Sequence, residues 1–95
     1  MKISMERTGG FAGVTRTKIV DTKNLSETSI QELTKILKQT DFLNLPPQIL
    51  SQSHQVERFQ YQITLEYQGQ LHTVTVPETA MDDNLKSLIE WIQSS

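Results

Sequence analysis

Phe59-Gln60-Tyr61-Gln62-Ile63-Thr64-Leu65-Glu66-Tyr67-Gln68-Gly69-Gln70-Leu71-His72-Thr73-Val74-Thr75-Val76 is the stretch that decides the fold. Phe59, Tyr61, Ile63, Leu65 and Tyr67 alternate with Arg58, Gln60, Gln62, Thr64 and Glu66, the period of a strand with one buried face. Gln68-Gly69 fits a two-residue turn between antiparallel strands, and such a turn sets the register. Leu65 then stands opposite His72, Ile63 opposite Val74 and Tyr61 opposite Val76, so one face is apolar on both strands. The other face pairs Glu66 with Leu71, Thr64 with Thr73 and Gln62 with Thr75. That surface is mostly polar and compatible with water, which leaves one face of the sheet free of helices.

The N-terminal half repeats the hairpin-then-helix plan without repeating the sequence. Lys2 to Arg7 and Val14 to Asp21 read as strands around Arg7-Thr8-Gly9-Gly10-Phe11-Ala12-Gly13, a segment holding three of the four glycines. Thr22 to Ser26 supplies turn and capping residues. Ile30, Leu33, Ile36 and Leu37 then recur at helical spacing, which predicts a helix from Glu27 to Thr40 with Gln31, Glu32, Lys35 and Lys38 toward water. Phe42, Leu43 and Leu45 are expected to pin the chain after it, and Pro46-Pro47 prevents helical continuation. Gln48 to Glu57 is polar and irregular and reads as a connecting loop. Pro77 ends the last strand, Asp82 or Asp83 caps a second helix, and Leu85, Leu88, Ile89 and Ile92 form its apolar stripe. The expectation is a single α+β domain over residues 1–95, a two-layer sandwich of order ββαββα with two helices on one face of a four-stranded antiparallel sheet. Which strands are central does not follow from that order.

The 95-residue length allows one core and no separate catalytic domain. Nine basic and eleven acidic residues are interspersed, so no electrostatic case exists for nucleic acid or an anionic membrane. No run approaches the roughly 20 apolar residues of a membrane span, and no signal-peptide pattern opens the chain; the expected compartment is the cytoplasm. Without cysteine there is no disulfide, thiol nucleophile or cysteine zinc site.

Catalysis needs convergent groups, and the sequence offers few. Its histidines, His54 and His72, are not in a zinc-binding spacing. His72 falls on the inward face near Leu65, where a structural hydrogen bond is expected in place of base chemistry. No phosphate-loop spacing surrounds the glycines. Asp82-Asp83 precede an apolar-periodic helix and read as capping and dipole complementation, with Glu78 in the same acidic turn. Trp91 reads as a core or edge-packing residue. The chain is therefore expected not to be an enzyme, and no cofactor is implied.

Met1-Lys2-Ile3 and Glu6-Arg7-Thr8-Gly9-Gly10-Phe11-Ala12-Gly13 resemble the start of the emfourin family, small inhibitors of protealysin-like, thermolysin-type zinc metallopeptidases. The resemblance continues through Asp41-Phe42, Leu45-Pro46, Arg58-Phe59-Gln60-Tyr61-Gln62-Ile63-Thr64, His72-Thr73-Val74 and Leu88-Ile89-Glu90-Trp91-Ile92, nearly the whole chain. It implies a peptidase partner and stoichiometric occlusion of the active-site cleft, with Arg7, Thr8, Gly9, Gly10, Phe11, Ala12 and Gly13 as the partner-binding residues. Phe11 either enters the cleft or folds back over the sheet. Arg7 either meets the peptidase at the rim or pairs across the sheet with Glu6, Glu66 or another carboxylate, and Arg16 and Lys18 carry the same two readings. The competing expectation is an intracellular interaction module or assembly subunit using the polar sheet face or an edge. Nothing indicates a homo-oligomer, and a monomer is expected.

Overall fold

Strands β3 (Phe59–Tyr67) and β4 (Gln70–Pro77) pair antiparallel with Leu65 opposite His72, Ile63 opposite Val74 and Tyr61 opposite Val76. The turn that holds this register has Gln68 at φ 52° and Gly69 at φ 77°. Positive φ at both central residues matches the right-handed twist of the flanking strands. In this computed structural model, which describes residues 1–9, 15–50 and 59–95, strands β1 (Lys2–Gly9) and β2 (Arg16–Asp21) complete the sheet. All pairings are antiparallel and the spatial order is β2-β1-β3-β4. Strand β1 is thus central, running two residues beyond its expected end at Arg7. The expected start of β2 at Val14 lies outside the described residues.

Helix α1 (Glu27–Thr40) has the expected bounds. The Ser26 hydroxyl accepts from the Ser29 N–H at 3.2 Å, satisfying one of the N–H groups that a first helical turn leaves unpaired. Its stop is set at Asp41, ahead of the proline pair. Asp41 takes the left-handed conformation, φ 54° and ψ 47°, and its N–H reaches the carbonyls of Leu37 and Lys38. The Asn44 amide donates to the Asp41 carboxylate at 2.7 Å and fixes the short 3₁₀ turn Phe42–Asn44. One residue of that turn takes the inward direction. Phe42 is buried, whereas Leu43, expected to pin the chain, is 57% exposed, because successive residues of a 3₁₀ turn point about 120° apart.

Helix α2 (Asp83–Ser94) starts at Asp82, whose carboxylate accepts the Leu85 N–H at 2.8 Å. The two helices are tied where α1 ends and α2 begins: the Asn84 amide donates to the Gln39 carbonyl at 3.1 Å, and the buried Thr40 hydroxyl, which donates to the Ile36 carbonyl of its own helix at 2.7 Å, also lies 3.5 Å from the Asn84 carbonyl.

Ile3, Met5, Val20, Tyr61, Ile63, Leu65, Val74 and Val76 are buried and share one sheet face by register. Leu33 and Phe42 meet them from the α1 side, and Leu85, Leu88, Ile89 and Ile92 from α2. Fully burying each such side chain contributes about 1.5–3 kcal/mol, so this one cluster is the main source of stability. Trp91 packs at its margin as expected. On the bare face, the Thr64 and Thr73 hydroxyls bond at 3.0 Å, while Ile19 and Leu71 are exposed.

The start of the expected loop after Pro46 has structure. The Thr75 N–H donates to the Pro47 carbonyl at 2.9 Å and the Ile49 N–H donates to the Thr75 carbonyl at 2.8 Å, a parallel bridge between Gln48 and Thr75. The segment has no periodicity to announce this, since its backbone does the pairing and only Ile49 packs against the core. The rest of that loop, residues 51–57, lies outside the described residues.

Candidate partner-binding site

The end of the sheet where β1 finishes is the place to which the glycine segment attaches. Gly9, at φ 112°, is a backbone position that residues with a Cβ avoid. It lies opposite Phe59, the first residue of β3, and Arg7 lies opposite both Tyr61 and Arg16. Of the expected binding residues, Arg7, Thr8 and Gly9 are placed; Gly10, Phe11, Ala12 and Gly13 lie outside the described residues, as does His54.

Alternation along β1 separates the placed residues. Arg7 shares the helix-side face with Ile3 and Met5, while Thr8 turns to the bare face and lines a shallow polar hollow with Glu6, Gln60, Gln62 and Thr75. The guanidinium of Arg7 sits 4.8 Å from the centroid of the Phe59 ring, within the range of a cation–π contact. The cross-sheet carboxylates expected for it are elsewhere. Glu66 stands opposite Lys2 at the far end of β1, and Glu6 faces the other side of the sheet. Phe59 as the partner was not visible in the sequence, because the contact requires β1 to pair with β3 and not only with its hairpin neighbour.

Arg16 and Lys18, on the helix-side face of β2, lie beside Arg7. Together with Met5, Thr17 and Gln93 of α2 these three residues line a depression of about 350 Å³. A larger share of apolar lining marks a second hollow of about 300 Å³ between Leu37, Phe42, Leu43, Leu65 and Tyr67. It lies toward the β3–β4 turn, at the opposite end of the sheet from Gly9.

His72 is accounted for by structure. Its Nε2 donates to the Leu45 carbonyl at 3.2 Å, and its ring meets Phe42 edge to face at 5.4 Å between centroids. Among the described residues, no group of three or more His, Asp or Glu side chains is placed to hold a metal ion, and no helix is long and apolar enough to cross a membrane.

What the geometry defines is a small α+β domain presenting a glycine connection from a central strand, with a structural histidine and a bare sheet face. The Emfourin family model matches residues 5–93, and the chain belongs to that family. Membership implies a metallopeptidase-inhibitor role. No curated protein matches the chain, and no solved structure does.

Proposed function

We propose that the chain inhibits thermolysin-like, protealysin-type zinc metallopeptidases by stoichiometric occlusion of the active-site cleft, with the segment Gly9 to Gly13 entering the cleft and Phe11 as its apolar anchor. Family membership across residues 5–93 carries this reading. The anchoring of the segment supports it physically. Gly9 ends a central strand that is paired on both sides as far as Arg7 and with β3 as far as Gly9, and Arg7 is held against Phe59, so the base of the segment has little freedom to lose on docking.

Area permits such a mode. A standard interface takes about 800 Å² from each partner, against 6518 Å² of accessible surface on this chain. Roughly an eighth of the surface is then required, which one end of the sheet can supply. Catalytic chemistry is not needed, since inhibition by occlusion asks only for shape, anchors and hydrogen bonds. Steric exclusion in place of zinc chelation is supported by the lack of cysteine and of a zinc-binding histidine spacing, and by a His72 committed to Leu45.

The test is titration of the chain into a protealysin-type enzyme with residual cleavage of a small peptide as readout. Saturating loss of activity at about one chain per enzyme supports occlusion. Full activity at stoichiometric excess of intact chain overturns it for that enzyme and favours the interaction module that uses the bare sheet face.

A further inference from the structure

Among the described residues, the three cations at the foot of the glycine segment lack neutralising carboxylates. Arg7 and Arg16 face each other directly across the β1–β2 pair, and Lys18 lies two residues along on the same face, opposite Met5. Like charges placed directly opposite in a sheet are destabilising. Among the described residues, none of the three forms an ion pair with a carboxylate. Arg7 has the Phe59 ring as its partner, which keeps its charge in place without cancelling it.

An internal explanation exists and falls short. Gln93 lines the same depression, so the C-terminal end of α2 is close by, and that helix has no basic residue in its last turn. A helix C-terminus carries about half a negative charge. Among the described residues three full positive charges remain mostly uncompensated, in a chain whose net charge is −2. A concentrated patch of the minority sign is suited to an acidic surface.

We propose that Arg7, Arg16 and Lys18 form a basic docking patch for an acidic surface beside the cleft of the target peptidase. The inference rests on the inhibitory reading for the identity of the partner. Its position gives it a specific job. The patch adjoins Gly9, so attraction there brings the glycine segment toward the cleft before any close contact forms. Charge of this kind acts mainly on the association rate, by about 10- to 1,000-fold, and weakens with salt.

Two measurements test it. In the first, association with the peptidase is followed from about 20 mM to about 500 mM salt, where the screening length shortens several-fold, for the native chain, Arg16→Glu/Lys18→Glu and Arg16→Gln/Lys18→Gln. A control, Lys35→Glu/Lys38→Glu, makes the same net charge change on the outer face of α1, where both residues are exposed. The expected result is an association rate lower by about tenfold or more in the Glu pair and by less in the Gln pair, with dissociation unchanged and a reduced salt dependence. The control should keep the native rate. Equal rates and salt slopes in patch and control variants overturn the proposal while leaving inhibition intact.

In the second, hexaglutamate is titrated into the native chain alone and amide shifts are followed by nuclear magnetic resonance. Salt-reversible shifts concentrated at Arg7, Arg16 and Lys18, lost in the Glu pair, support the patch even if no peptidase binds, in which case the inhibitory reading alone fails. Absent or scattered shifts overturn it. A phosphodiester oligonucleotide of equal charge that binds the same residues more tightly also overturns it, because the patch would then favour phosphate over a protein carboxylate surface.

Discussion

Arg7 and Phe59 meet diagonally across the β1–β3 pair, the guanidinium 4.8 Å from the ring centroid, two residues from the register position where Gly9 faces Phe59. The contact closes the helix-side face beside Gly9. It is worth about 0.5–1 kcal/mol at a partly exposed site. A double-mutant cycle of Arg7→Ala and Phe59→Leu, read by denaturant unfolding, should return a coupling of that size. Additive effects would mean that the two side chains share a surface without interacting.

Phe11→Ala should weaken a demonstrated peptidase complex by about 2 kcal/mol or more, roughly 30-fold in Ki, as removal of a buried interface anchor does. The isolated variant should melt within a few degrees of the native chain. Inhibition as tight as before, with a large drop in melting temperature, would assign Phe11 to packing against the sheet.

Gentle removal of the peptidase zinc, with its fold preserved, should leave the complex intact. The chain has no thiolate to offer, its two histidines are not in a zinc-binding spacing, and the Nε2 of His72 is bonded to Leu45 within its own fold. Calorimetry with the metal-free peptidase checks this, and a loss of binding would point to a direct ligand on the metal.

Gly69→Ala should cost about 1 kcal/mol or more. Nothing lies within 4 Å of where its Cβ would stand, so the cost is conformational, from φ 77°, and not from crowding. Gln68→Asn should gain about 0.5 kcal/mol, since asparagine tolerates the positive φ that Gln68 adopts at 52°. Both variants should inhibit as the native chain does, because the turn and the glycine segment sit at opposite ends of β3. Thermal melts and inhibition assays together decide it.

The β3–β4 hairpin was legible because both of its determinants are local: alternation over nine residues and a turn two residues long. Helix α1 was legible for the same reason, with Ser26 and a stripe of apolar residues marking it. Strand order was not, because β1 offers only Ile3 and Met5 as buried apolar positions and its pairing with β3 spans more than fifty residues of chain. The same non-local pairing decides where Arg7 points, so its aromatic partner was hidden while its position in the strand was not. His72 could be placed on the inward face from register alone, but its acceptor, the Leu45 carbonyl, depends on where the chain returns after α1. For the candidate site, the sequence supplied the glycine segment and the family resemblance, and the structure added the two residues that flank its foot, Phe59 and Arg16.

The bridge of Pro47 and Ile49 to Thr75 bears on how this sheet can assemble. Strand β4 turns the backbone of every second residue outward; at Thr75 those groups are taken, and Pro77 has no N–H to give. At this end of β4 the rim is thereby closed to another strand. Endless stacking of sheets edge to edge needs two open rims per molecule. The bridge at Thr75 narrows one of them, which works against growth into a filament.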